Sequence, residues 1–335
     1  MRLLIVPFFV LLIFAGWTGY WFFAAHRVEA SIERWIAEQR AAGAEISHAG
    51  LTVGGFPFRI RVDLAEPRLA LPQRAEQPRW QTAHLSAIGH PWSIRHLIVD
   101  ASGRQELSAL IDGRPMTWQL DSRQALASWE GDDAGRLQRL SVDLQDNSLS
   151  ENGAVKLRTA RTQLHLRPAA AAQDLFDLAL DLADAEIFWP LPPALEPKLA
   201  RAQAQFTVTG RAPFEGSLPA ALTAWRDAGG TLDVSALALD WGRLTLQGQG
   251  TLALDQSMRP MGAFTTKLGG YEVLLDVARD DGQMTDGAAR AAKAVLGLLA
   301  AVNGGMLSVP VRLQDGEVFL GPVLIARLSP LLPAS

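Results

Sequence analysis

Three histidines, His84, His90 and His96, recur at six-residue intervals and would share a face of one continuous strand. Imidazole ligates zinc, so the spacing raises metal chemistry. Gly89 and Pro91 would break such a strand, and no carboxylate accompanies the set at ligand spacing. Ordinary turn or surface histidines are therefore expected, and no metal or cofactor is assigned. Asp132-Asp133 and Asp280-Asp281 could do acid–base work as paired carboxylates, but both sit beside glycines and read as solvated turns. "GQGTLA" at 248–253 matches G-x-G-x-x-A, yet a strand pattern follows where pyrophosphate binding needs a helix N-terminus. The sequence holds no G-x-S-x-G elbow, P-loop or H-E-x-x-H. With no cysteine it has no thiol nucleophile and no disulfide. The reading is a protein that is not an enzyme.

A different chemistry is written in "GGFPFRIRVDL" at 54–64. Phe56, Phe58, Ile60, Val62 and Leu64 alternate with Pro57, Arg59, Arg61 and Asp63. On a strand this makes one apolar strip and one charged strip. Pro57 cannot donate to a ladder, so the strand is expected at an edge or with a bulge, turned in by Gly54 and Gly55. Two accounts stay open. The strand is an edge protected against association, or it is the rim of an open, bent sheet whose apolar face binds an acyl chain.

The elements around that strip also have period two. "LSVDL" at 140–144, "LFDLALDL" at 175–182, "TLDVSALALDWG" at 231–242 and "GTLALD" at 250–255 alternate and end near turn formers. Asp315-Gly316 between "VPVRLQ" and "EVFLGP" predicts a hairpin. Two helices are expected among the later strands. One is capped by Ser217, with Pro219 in its first turn and Gly229-Gly230 after it; the other is capped by Asp286 and closed by Gly304-Gly305. Trp80, Trp92, Trp118, Trp129, Trp189, Trp225 and Trp241 are expected to fill a core with their N–H groups at its edge, or to line an apolar groove.

The uncharged run Leu3–Phe23 is roughly the length that crosses a bilayer as a helix. Trp17, Tyr20 and Trp21 suit a membrane interface as anchor residues. A cleaved signal peptide would place Phe22 and Phe23 at its cleavage positions, which fits poorly. Val28, Ile32, Trp35 and Ile36 continue at helical spacing to a stop near Gly43. Arg27, Arg34 and Arg40 after the run outnumber Arg2 before it, so charge alone does not fix orientation. A net charge of −4 without a basic stripe argues against nucleic-acid binding. The organisation expected is an anchor (1–25), an amphipathic linker helix (26–43), a β half (44–190) and a second β half with two helices (191–335). The divider is the proline-rich stretch 188–197.

The anchor, "VGGFPFR" at 53–59 and "VPVRLQDGEVFLGP" at 309–322 resemble a bacterial family of inner-membrane-anchored proteins with a domain of unknown function. The block from Trp225 to Gly262 is similar to the strand-rich C-terminal part of AsmA-type envelope proteins. These resemblances imply a single-pass protein of the bacterial inner membrane, its large domain in the periplasm, that binds or passes membrane lipid. They carry no ligand residues. The expected fold is mainly β: a transmembrane helix, then bent antiparallel sheet with an open groove among its forms, and a few packed helices. The expected function is binding or helping transfer a lipid-like apolar ligand, with the strip Phe56–Leu64 as its surface. An envelope scaffold that binds a protein partner is the alternative, and an undetected hydrolase ranks last.

Overall fold

The computed structural model describes residues 5–111, 113–169, 175–210 and 218–332. The chain is mainly β and forms two compact units, Met1–Lys156 and Leu157–Ser335. This differs from a division at 190/191. The proline-rich stretch only connects two strands that pair along nearly their whole lengths within the second unit. Proline empties a ladder where it stands and leaves the flanking strands free to pair.

The first unit opens with α1 (Ile5–Ala41), one unbroken helix that joins the apolar run to the amphipathic segment. It ends at Gly43, whose φ of 95° lets the chain reverse. The strands are β1 (Glu45–Ser47), β2 (Gly50–Gly54), β3 (Ile60–Ala65), β4 (Arg68–Ala70), β5 (Arg79–Thr82), β6 (His84–His90), β7 (Ser93–Asp100), β8 (Gly103–Ile111), β9 (Arg114–Gly131) and β10 (Leu137–Glu151). Their antiparallel pairing shows long strands, each interrupted once. β2–β3–β6–β7 form one row of neighbours and β1–β4–β5–β8 another. β9 takes β8 along its first half and β7 along its second, with β10 on its other edge. The interruptions fall at His48-Ala49, Glu66-Pro67, Ala83 and Ala101-Ser102. Single bonds knit them, such as Glu66 N–H to the Ala83 carbonyl at 2.9 Å. Pro67 sits where no donor is required, and Glu66 and Asp146 adopt left-handed φ of 46° and 50° on the same line. Such a line is where a sheet bends.

The second unit is a meander. β11 (Ala154–Pro168), β12 (Phe176–Ile187), β13 (Lys198–Val208), β14 (Leu232–Trp241), β15 (Leu244–Leu254), β16 (Pro260–Gly269), β17 (Leu307–Gln314), β18 (Glu317–Leu320) and β19 (Val323–Arg327) each pair antiparallel with the next. Among the described residues nothing pairs β19 back to β11, so the sheet stays open. Asp315 and Gly316, at φ 55° and 78°, make the expected hairpin.

Helices α2 (Leu218–Asp227), α3 (Glu272–Asp280) and α4 (Asp286–Ala301) punctuate the meander. The α2 cap expected at Ser217 lies outside the described residues. The α4 cap is Thr285, not Asp286: its side chain accepts from the Ala288 N–H at 3.3 Å. α3 is an addition to the two helices read from sequence. Together α3 and α4 cover the sheet around Leu268, Leu307 and Leu320 and complete the unit's core.

Candidate functional site: the apolar face of the sheet

Phe56 and Phe58 do not continue the strand. β2 ends at Gly54, residues 55–58 turn, and β3 begins at Ile60. Gly55 has a φ of 99°, and a Cβ there would lie 2.8 Å from the Arg59 carbonyl oxygen, so the turn is built for glycine. The turn docks on α1. Phe56 meets Trp21 edge-on at 5.5 Å and stacks on Phe22 at 6.2 Å. Trp17 donates to the Pro57 carbonyl at 3.0 Å, and Trp21 to the Arg59 carbonyl at 2.8 Å. Tyr20 reaches the next turn, donating to the Pro91 carbonyl at 2.9 Å, and Trp17 packs on Trp92 at 5.9 Å. The anchor aromatics thus bind the protein's own turns, and Trp21 is buried. Ile60 and Val62 share a buried cluster with Trp21 and Ala25, while Leu64 is half-buried beside Leu51 and Leu85. Phe56, Ile60 and Val62 of the strip are thus a helix seat, while Phe58 is exposed.

Beyond that seat the apolar face continues. Cross-strand register lines up Val53, Val62, Ala87, Val99, Ala127 and Val142 in one row, with Leu97, Trp129 and Leu140 in the next. Paired residues point to the same side of a sheet. The β2–β3 end of this row packs against α1. Val99, Ala127 and Val142 are half-buried.

The second unit shows the same arrangement more fully. One column runs Leu164, Leu180, Ala204, Leu237. A second runs Leu166, Leu178, Phe206, Val234, Gly250, Phe264, Val311, Leu320. A third runs Thr162, Leu182, Ala202, Leu239, Leu246, Leu268, Leu307. At the α3–α4 end Leu268, Leu307 and Leu320 are 0% exposed. Across β12–β14, Leu178, Leu182, Phe206 and Leu237 are half-buried and Leu180 is 41% exposed, while Leu239 packs against the α3–α4 core. The opposite face is polar: Asp181 accepts from Arg201 at 3.0 Å and also from Gln203.

The other sequence candidates have structural roles. His96 bonds Ser128 Oγ at 2.9 Å, His84 lies 3.3 Å from Asp63, and His90 stacks on Trp92. "GQGTLA" lies inside β15; a Cβ at Gly250 would meet the Ala263 carbonyl oxygen at 2.1 Å, so these glycines permit close strand packing. Asp132 closes the β9–β10 turn: its Oδ1 accepts from the Ala134 and Arg136 N–H groups, each at 2.9 Å, and its Oδ2 from Arg136 Nε at 2.7 Å. Asp255 repeats the motif in the β15–β16 turn with Ser257 and Arg259, all three bonds at 2.8 Å. Burial pushes the Asp255 carboxyl up, but the Arg259 bonds outweigh it and hold the group below the usual carboxylate value. This D-x-x-x-R repeat was legible in the sequence and was missed. Among the tryptophans, Trp225 is buried with its N–H on the Thr209 carbonyl at 2.7 Å, whereas Trp92 and Trp189 are exposed rather than core.

A mixed-charge cleft of about 610 Å³ in the first unit is lined by Arg40, Glu45, Arg68, Trp80 and Glu106 among others. Arg40 is engaged there by the Ile46 carbonyl. Among the described residues no group of acidic and histidine side chains is placed to hold a metal ion.

No curated protein and no solved structure matches the chain. Residues 21–329 match one family model, a span that begins at Trp21 and takes in the docked turns and both apolar faces. The chain belongs to the family described as "Uncharacterized protein conserved in bacteria (DUF2125)".

Proposed function

We propose that the protein is a single-pass, membrane-anchored envelope protein with its β body in the periplasm, and that it binds or helps transfer a lipid-like apolar ligand without catalysing a reaction. One observation carries this reading. The apolar columns that are sealed at Leu268, Leu307 and Leu320 are only half-buried at Leu178, Leu182 and Phe206, and Leu180 in the neighbouring column is 41% exposed. The apolar run in α1 is long enough to cross a bilayer, which supplies the ligand class. The ligand face lies beyond Phe56, Ile60 and Val62, which α1 occupies. Burying acyl surface gains about 0.8 kcal/mol per methylene, so a long chain contributes on the order of 10 kcal/mol before ordering costs. It loses similar contacts on leaving the bilayer. Exchange near balance suits a carrier better than a store.

The test is native mass spectrometry of full-length protein stripped of bulk detergent. A carrier retains about one lipid per chain, lost in Leu180→Glu; a protein that retains none rules the reading out.

A second reading, a scaffold for an envelope protein, is favoured by α4. Its inner residues Ala289, Ala292, Leu296 and Ala300 are buried, yet Leu298 and Val302 on its outer side are 74% and 85% exposed. Isolated exposed apolar residues are common, but a helical stripe of them fits a partner. Leu298→Ser with Val302→Ser would then abolish a cross-link to that partner and leave lipid retention unchanged.

A further inference from the structure

The two turns that dock on α1 do so within its apolar run, not beyond it. Phe56 meets Phe14 at 6.2 Å as well as Trp21 and Phe22, all within the uncharged stretch that ends at Phe23. Phe14 precedes Phe23 by nine residues, or roughly 13 Å of helix. Half a bilayer's hydrocarbon is about 15 Å. Wherever the run is embedded, the ring seated between Phe14 and Phe22 lies at or below the headgroups. The Trp17–Pro57 and Tyr20–Pro91 hydrogen bonds fix both turns at that level.

The side chains at these tips are apolar and open. Phe58 is 66% exposed and Trp92 56%, while Arg59 and His90 flank them on the approach to the sheet. Aromatic tips with a cationic neighbour match the order of acyl chain, interface and phosphate in a bilayer. A water-facing turn would leave these rings costly without purpose; the same rings in lipid are stabilising. We infer that the Gly55–Arg59 and Pro91–Trp92 turns are immersed in the outer part of the bilayer. They make a second membrane contact that holds the root of the β body at the surface. The inference rests on α1 spanning the membrane. It also places the covered start of the Val53–Val62–Ala87–Val99 row next to lipid.

The chain contains no cysteine, so single labels report cleanly. Full-length Phe58→Cys and Trp92→Cys carry a nitroxide in lipid nanodiscs. Phe9→Cys reports the span and Glu76→Cys the aqueous body. Accessibility to oxygen and to a water-soluble nickel chelate gives the depth of each label. Phe58 and Trp92 labels should resemble Phe9, open to oxygen and shielded from nickel several-fold relative to Glu76. If Phe9 reads as lipid and both tips read as water, the immersion is wrong and the anchor stands. If Phe9 reads as water, both ideas fail together. Tips shielded from both reagents would mean a protein partner or second copy covers them, which also overturns the inference. Unchanged circular dichroism confirms that each variant is folded, and the Trp92 label gives an independent answer if Phe58→Cys misfolds.

Discussion

The second unit carries the same apolar columns through two environments. At β16–β18, α3 and α4 lie over the sheet, and Leu268, Leu307 and Leu320 are wholly buried. At β12–β14 the residues facing that side are still apolar, though β14 pairs through register shifts, and here the columns are half-buried and Leu180 is exposed. Alternation therefore decides which side of a sheet is apolar. A separate element decides whether that side becomes a core or a binding surface. The first unit repeats the lesson, with α1 sealing Ile60 and Val62 at one end of a row that runs on to Val142.

Mutations can break or sharpen this contrast. Burying a carboxylate at the sealed end should be the most damaging: Leu307→Glu is expected to abolish cooperative thermal unfolding, while Leu180→Glu keeps it. Truncation comes next. Leu268→Ala should cost about 2–5 kcal/mol in chemical denaturation, and Leu180→Ala less than about 1 kcal/mol. Equal losses at the two sites would mean that the open end is a core after all. Asp255→Ala removes the acceptor of three turn bonds and should cost about 1–2 kcal/mol, with a smaller loss for Asp255→Asn.

The smallest effect is on pH dependence. Burial pushes the Asp181 carboxyl up, but bonds from Arg201 and Gln203 leave it below its ordinary value, and Asp255 behaves alike. A lowered carboxylate value stabilises the fold above the unfolded-state value, and this is lost as pH falls through the folded-state value. Melting temperature should therefore drop on acidification, and Asp181→Asn should flatten part of that slope without moving the neutral-pH contrast between Leu268 and Leu180.

Much of this was legible in the sequence. Period-two alternation located the strands, the uncharged run marked α1, and Asp315-Gly316 marked its hairpin, because each is a local signal. The α1 seat was not legible. Phe56 and Pro57 meet Trp21 and Trp17 across some forty residues, and alternation looks the same whether a helix or a ligand covers the strip. α3 escaped for a related reason: nine residues between Gly270 and the Asp280–Gly282 turn offer too short a periodic pattern. The bulk of the site, the β12–β14 columns, depended on cross-strand register, which one strand's sequence does not specify.

The central claim is that the β12–β14 end of the apolar face is open to lipid. Full-length protein in nanodiscs doped with a lipid carrying a photoactivatable acyl chain tests it directly, by mapping the cross-linked peptides. The account predicts adducts on residues 176–187 and 232–241, lost in Leu180→Glu, and none on the sealed residues around Leu307. Adducts confined to α1 would contradict it.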